Sequence, residues 1–532
     1  CVTGVQTCAL PILRDTHPLP EADVAKHLET FTHHSIITPH DANTRDTYAF
    51  RHVLLRDVTY DQMPRNQRRT LHRAVAAWLE RQHADQLAPI ASLLAFHWQR
   101  AEVPESSLRW LEAAAEHALR SGTFAEAIAN YQQAMSTSLV APALASPRRK
   151  AHWTMGLGMA AYFLGDFQTS RLRLEEAVHE LDRAVPISRL ETLFALFREA
   201  IQQAGNRLIN RQRIASGTSQ LKDSIATSEC YRSLSQIYFL QGEPAERLAY
   251  LTLRGLNVGE RTGSSATLAR TLANMGALMS FLGLKAWGAW YGMRAVSMAE
   301  KEGQFAASAY VHHIGSLRLI TDGMVGEALA SNTQALERIV ALGDFNLELE
   351  AMSVRAMIAA TNGLLDIAEP AARRCVALAR QHGSLAMGGW AQLNLVDVDL
   401  ARGDVPSAQA ALAKGRALLT GLQDVASLAL HSRAEACLAH HQGRWDDALR
   451  SARSTIQTIG TAMPTAYYLA EAYLVAAEIL AAGARAGQAV SHPELRRVAR
   501  RLDRMSGNFR NVRERAQSLS HGLRRWPPHG TV

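Results

Sequence analysis

Histidine is the side chain in this sequence that most invites a chemical reading. There are 21 of them, doubled at His33-His34, His312-His313 and His440-His441. Two imidazoles hold a metal when they share one helix face, as at i and i+4. Adjacent helical residues face different ways, so these doublets make poor ligand pairs, and no metal site is expected. The chain lacks a Gly-x4-Gly-Lys-Ser/Thr loop, and the dipeptide Gly-Lys is absent, so it cannot build a Walker A phosphate cradle. HExxH, GxSxG, a GxGxxG after a strand, and the protein-kinase signatures are also missing. The five cysteines, Cys1, Cys8, Cys230, Cys375 and Cys437, form no CxxC pair. The last three fall in helical segments and read as small core residues. These residues point to a non-enzyme with no catalytic residue, metal or cofactor of its own.

The elements that would carry any site keep a beat. Glycine recurs about every twenty residues from Gly263 through Gly283, Gly303, Gly323, Gly343, Gly363, Gly383 and Gly403, then Gly421, Gly443, Gly460 and Gly483. Apolar, Ala-rich segments of helical length lie between. The alternate set, Gly122, Gly165, Gly205, Gly242, Gly283, Gly323, Gly363, Gly403, Gly443 and Gly483, reads as the turns of about ten helix pairs. Seven residues before these turns stand Ala115, Gly158, Ser235, Gly276, Ser316, Ala356, Val396, Ala436 and Ala476; five after stand Ala127, Ser170, Gly288, Ala328, Ala368, Ala408 and Ala448. Nearly all are small, which lets paired helices approach closely. The fold expected is all-α, a right-handed tetratricopeptide-like (TPR-like) solenoid with a repeat of about 40 residues rather than the usual 34 or so. The repeat at Gly205 is degenerate, with a short polar second helix from Asn206 to Ala215, and Arg247 breaks the small-residue code. A hinge is expected near 203–220.

In such an array the first helix of each pair lines the concave side. By register, Arg270, Tyr310, His313, Trp390, Asp397, Arg433 and His440 face that groove. An exposed Trp, Tyr and Arg set suits capture of a protein or peptide; ordinary lining of the superhelix is the alternative. The net charge is +8, and ten Arg stand against Glu494, Asp503 and Glu514 between 494 and 525, a surplus of seven. The excess is thus one terminal patch (Arg496, Arg497, Arg500, Arg501, Arg504, Arg510, Arg513, Arg515), read as a solvated polar cap over 494–516, with a contact for nucleic acid or acidic partners as the alternative. The repeat body is nearly neutral, which argues against nucleic acid lying along the molecule.

Ahead of the array, residues 1–12 do not fit the rest of the chain. They resemble translated sequencing-adapter readthrough, which would make the chain a piece of a longer one. Residues 13–81 read as a winged-helix module: a helix at Glu21 to Phe31, a short β-branched stretch His34 to Pro39, a polar turn at Asp41 to Asp46, apolar spacing from Tyr48 to Tyr60, and an amphipathic helix from Gln67 to Arg81. Residues 82–106 connect to an array over 107–493, and 494–532 hold the Arg-rich cap and a disordered tail.

Tyr48-x-Phe50-x-His52-x-Leu54-Leu55-Arg56-Asp57-Val58-x-Tyr60, with Arg68 and Leu71-His72, resembles the end of the signalling-ATPase module of bacterial STAND proteins. In that family an AAA-like ATPase, often with an adenylate or guanylate cyclase, precedes a winged helix and TPR repeats; LuxR-like regulators share the plan. Phe50 to Asp57 is similar to the family's MHD stretch, whose His senses the nucleotide phosphate. Val53 stands where that motif has Asp, so the implication rests on His52; filling the winged-helix interface is the alternative role. The resemblance implies a sensor and scaffold region that binds a protein or other ligand and regulates an upstream ATPase or cyclase in cis, with ATP or ADP held by the longer protein. The other readings are a DNA-linked transcriptional regulator and a free-standing TPR adaptor. The 532 residues are 47% hydrophobic, 20% charged and 6% aromatic, which suits a folded helical protein. Cysteine usage points to the reducing cytoplasm, and no apolar run reaches the length needed to span a bilayer.

Overall fold

The computed structural model describes residues 7–9, 12, 20–39, 47–209, 218–301, 303–422, 424–460 and 466–524. The polar turn expected at 41–46, most of the helix expected over 206–215 and the tail from Trp526 lie outside these residues. The chain divides into two compact units, Cys1–Leu157 and Gly158–Val532.

In the first unit, β1 (Thr7–Ala9), α1 (Glu21–His33), β2 (Ile37–Pro39) and β3 (Thr47–Phe50) precede α2 (Val53–Gln62) and α3 (Arg65–Gln82). β3 is the central strand, antiparallel to β1 on one side and β2 on the other, with Ile37 opposite Phe50. Tyr48 and Phe50 are two apart and share a face. With Ile37 they pack against Val24 and Leu28, one helical turn apart on α1. The expected order of helix, short strands and helices is present. Thr7–Ala9, within the stretch set apart on sequence grounds, supplies the third strand. The apolar run Tyr48 to Tyr60 divides at His52, whose extended backbone (φ −127, ψ 128) ends β3 and leads into α2.

The next helices of this unit, α4 (Ala91–Arg100), α5 (Pro104–Ser121) and α6 (Phe124–Val140), gather with α3 around Trp78, Trp98, Trp110 and Trp153. Indole N–H groups must be satisfied when buried, and one carboxylate does this twice. Glu80 Oε1 accepts from Trp98 (2.9 Å) and Trp110 (2.6 Å). Glu112 accepts from Trp153 (2.6 Å) and from Arg149 through both oxygens. α5 and α6 form the first small-residue hairpin. Gly122 turns it at φ 77, and Ala115 and Ala127 are fully buried between its arms.

His72 and His97 face each other in this core, Nδ1 to Nδ1 at 3.1 Å, with the Tyr60 hydroxyl 2.9 Å from His72 Nε2. Burial lowers both pKa values, to about 4 for His72, where Arg100 and Arg68 add to the effect, and to about 3 for His97, where His72 adds to it. An unfolded histidine titrates near 6.5. The unfolded chain therefore binds more protons as pH falls below that value. The pair's contribution is fully present above about pH 6.5 and is lost as pH falls to about 4 for His72 and about 3 for His97, at up to about 1.4 kcal/mol per pH unit for each ring. Denaturant unfolding of the whole chain between pH 7 and 4.5 should show this slope, and His97→Phe should reduce it by one proton. An unchanged slope would remove the pair as its source.

α7 (Pro147–Leu164) crosses the boundary, and the second unit continues as a helical array: α8 (Phe167–Leu181), α9 (Arg189–Ile209), α10 (Thr218–Leu240), α11 (Ala245–Gly259), α12 (Ser265–Phe281), α13 (Lys285–Lys301), α14 (Phe305–Thr321), α15 (Val325–Leu342), α16 (Phe345–Thr361), α17 (Leu365–His382), α18 (Leu385–Ala401), α19 (Val405–Leu419), α20 (Val425–His441), α21 (Trp445–Ile459), α22 (Tyr467–Arg485), α23 (His492–Asn508) and α24 (Arg510–Arg524). The hairpins α12/α13, α14/α15, α16/α17, α18/α19 and α20/α21 obey the expected code. Ala328, Ala356, Ala368, Ala408, Ala436 and Ala448 have no exposed surface. The approach is closest in α12/α13, where a Cβ on Gly288 would stand 2.9 Å from the Gly276 carbonyl oxygen. The all-α, TPR-like reading holds.

Three local expectations are corrected. Gly205 turns nothing; it lies inside α9, which runs on because Gln203 and Asn206 donate to the Glu260 carboxylate at 2.9 and 3.0 Å. α9 also stands outside the succession of pairs: α10 packs on α8, and α9 lies against α11. Gly483 lies inside α22, where a Cβ would meet Leu449 Cδ2 at 2.8 Å; the turn falls at Gly487, φ 70. The Arg-rich cap is two helices, α23 and α24, separated at the fully buried Phe509.

Candidate functional site

The array of the second unit winds back on itself. A Cβ on Gly165 would lie 2.9 Å from Ala386 Cβ, and one on Gly242 3.3 Å from Val425. Gly283 and Gly323 likewise abut Asn508 and Arg510. Rings show the same closure: Phe167 meets Trp390 at 6.3 Å between centroids, and Phe239 meets Tyr468 at 5.7 Å. Early hairpins thus touch late ones, and the concave side becomes an interior.

That interior holds a cavity of about 110 Å³. Its walls come mainly from the first helices of successive pairs, with Leu248 and Thr252 added from α11. Gln236, Ala277, Leu317 and Met357 each stand six residues before a turn glycine and each lines it. Phe239, Phe281, Trp390, Tyr467 and Tyr468 add an aromatic wall. The polar groups are few: Asn274, His313, Glu350 and Ser353 among them. Glu350 Oε2 lies 3.6 Å from His313 Nε2. The hydroxyls of Tyr467 and Tyr468 and Nδ1 of His313 are buried without a hydrogen-bond partner. Burial holds both tyrosines protonated, with pKa values raised above the usual phenol. The cavity is therefore a small apolar chamber with a few polar atoms unused. Space of this size suits one apolar side chain or ring, not a folded peptide segment.

The sequence-predicted groove residues divide among four places. Arg270, Tyr310 and His313 gather at the early end. Tyr310 donates to Asn274 Oδ1 (2.8 Å) and accepts from Arg232 (3.3 Å), and the Arg270 guanidinium lies 6.0 Å from its ring centroid. Arg232 and its partner Glu229, 2.5 Å away, escaped sequence reasoning. Trp390 is a cavity wall whose indole donates to Ser427 Oγ (2.9 Å). Asp397 and Arg433 are joined by two 2.8 Å bonds. His440 is elsewhere, edge-on to Trp445 at 4.9 Å, with burial lowering its pKa. The expectation of an exposed Tyr, Trp and Arg set is corrected: Tyr310, His313, Trp390 and Arg433 are buried, because closure of the array covers the face they line.

His52 is exposed at the start of α2. In the Arg-rich helices, Arg501 is buried against the Tyr473 ring, Arg513 donates to the Ser506 carbonyl oxygen, and Arg515 pairs with Glu471 and Glu478. Three of the eight arginines are thus engaged within the fold, while Arg496, Arg497, Arg500, Arg504 and Arg510 are exposed. Among the described residues no three metal-binding side chains cluster, and no helix is long and apolar enough to cross a membrane.

These features define a TPR-like helical array that winds back on itself around a partly open apolar chamber. No family profile and no curated protein matches the chain. Solved structures of similar architecture include a Rap protein complexed with competence and sporulation factor (13% identity over 78% of this chain and 96% of that one, TM-score 0.42). Yeast Tom70 is 9% identical over 83% of this chain and 96% of its own, TM-score 0.35. A signal transduction ATPase with numerous domains and a tetratricopeptide repeat sensor, from Pyrococcus horikoshii, is 13% identical over 77% of this chain and 60% of its own, TM-score 0.30. At these identities the likeness concerns fold alone.

Proposed function

We propose that this chain is the non-catalytic sensor and scaffold region of a cytoplasmic STAND-type signalling protein, and that its interior chamber takes one apolar group of a protein or peptide ligand. The chamber carries this reading: an apolar space with unused hydroxyls is what a ligand anchor fills. Its walls come from many repeats, so a ligand held there favours one pitch of the array over others, which is the differential contact a sensor needs. Regulation of an upstream ATPase or cyclase in cis, with ATP or ADP sensed through His52, extends the proposal. In its support, α2 beside His52 buries none of its residues and leaves Leu54 78% and Val58 52% exposed, a face that another domain would cover.

A selection from a random peptide library against the whole chain tests the ligand reading. Peptides with a recurring apolar anchor should be enriched. Ala277→Leu, which fills the chamber, should weaken them at least about tenfold, the scale of a lost buried apolar group, and leave helical content unchanged. Equal binding to the variant would place the ligand elsewhere.

A further inference from the structure

α9 is packed inside out. Thr192, Ala195, Glu199 and Gln203 are its buried side, set against α11. Leu190, Phe194, Phe197 and Ile201 are instead 81, 70, 65 and 58% exposed. A surface helix ordinarily turns its apolar stripe to the core, and a contiguous exposed stripe of large side chains marks an interaction site.

The spacing says what kind. Ile187, just ahead of the helix and 87% exposed, Leu190, Phe194, Phe197 and Ile201 are separated by three, four, three and four residues. That is the alternation of a and d positions in a coiled coil, with Ile187, Phe194 and Ile201 at a. The partner is then another helix with the same stripe, and this chain already provides one: α9 of a second copy.

Charge chooses the orientation. Glu191 and Arg198 occupy the e positions flanking the stripe. In a parallel pair they would meet g positions, which are Leu193 and Ala200 and offer Arg198 no opposite charge. In an antiparallel pair e meets e, so Glu191 faces the partner's Arg198, and two-fold symmetry repeats the pair. Phe194 then packs on the partner's Phe197 at the dyad. The carboxylate is held ready: Glu191 accepts from the Ile187 and Ser188 backbone N–H groups (3.2 and 3.3 Å), and its own N–H donates to Ser188 Oγ (3.2 Å), a capping box. Arg198 is about half exposed, and among the described residues its ion-pair contact is a long 3.5 Å to Glu199.

We infer that the chain forms a two-fold dimer through antiparallel packing of α9 against α9. The interface is isologous and closes, so it yields a dimer and no filament. It does not depend on the ligand reading. Sedimentation of the whole chain over a concentration series should show a monomer–dimer equilibrium. Phe194→Glu with Phe197→Glu should give a monomer of unchanged circular dichroism, because both side chains are already exposed. Arg198→Glu should weaken the dimer roughly tenfold by setting like charges opposite each other, and Glu191→Arg added to it should restore affinity. A wild-type monomer at every concentration, or a dimer that survives the double Phe substitution, would overturn the inference. Arg198→Glu without effect would overturn the antiparallel register.

Discussion

Replacing Arg254 by methionine is expected to destabilise the chain by about 3–5 kcal/mol, the scale for stranding buried charge. Arg254 is 1% exposed and serves two carboxylates. Its Nε and Nη2 donate to Asp182 at 2.9 and 2.6 Å, and its Nη1 donates to Glu199, which has no exposed surface, at 3.1 Å. Burial alone would push the Asp182 carboxyl up, but the hydrogen bonds and charge of Arg254 outweigh it and hold that pKa below the ordinary range. A depressed folded pKa gives stability that is present above the unfolded value and lost as pH falls through the folded one. Methionine removes this and leaves Glu199 with Asn257, 3.0 Å away, Arg183 at 3.4 Å and Arg198 at 3.5 Å. The site also ties α9 to α11, since Glu199 is an α9 residue and Arg254 an α11 residue. Denaturant unfolding would give the loss, and amide exchange over 189–209 would show α9 losing protection ahead of the other helices. Adding Glu199→Gln should recover part of the stability by removing the stranded charge. A variant within about 1 kcal/mol of wild type would mean that water replaces the guanidinium.

How much of this was legible in the sequence depends on the range of each interaction. Pairing within a repeat is local. The small residues seven before and five after a turn glycine touch each other, so Gly276 and Gly288 could be read directly, and with them the array. Closure is long-range. The contacts of Gly165 with Ala386 and of Gly242 with Val425 join residues remote in sequence, and nothing in one repeat encodes the pitch that makes them. That is why the repeat register places Tyr310, His313 and Trp390 on the inner face but gives no sign of their burial. A cue was present: α18 and α22 are apolar or small almost all round, and helices of that kind are buried on every side. Glycine spacing also misled at Gly205 and Gly483, because a helix held by side-chain bonds, or rich in alanine, tolerates a glycine at a cost of about 1 kcal/mol. The odd character of α9 was visible in the apolar heptad spacing from Ile187 to Ile201, which the forty-residue beat concealed.

Arg433→Met is expected to cost about as much as the loss of Arg254, and the way it is rescued separates a structural charge from a ligand-binding one. Arg433 is 8% exposed, and its fork meets both Asp397 oxygens. Burial would lower its pKa, but the adjacent Asp397 charge raises it instead. Beyond it the signs alternate: Glu471 on α22 lies near Arg433 and is hydrogen-bonded to Arg515 on α24. Asp397, Arg433, Glu471 and Arg515 thus form a ladder of alternating charge across α18, α20, α22 and α24, closed at its far end by Glu478. Removing one rung strands its neighbours at about 3–5 kcal/mol, whereas replacing a buried pair by apolar groups of similar volume is often neutral. Asp397→Leu combined with Arg433→Met should therefore recover most of the stability lost by Arg433→Met alone. Peptides selected on the wild-type chain should bind the double variant with unchanged affinity, since the chamber around Trp390 and Met357 keeps its lining. If stability returns but binding falls tenfold or more, the pair contacts the ligand, and the anchor extends from the chamber toward α20.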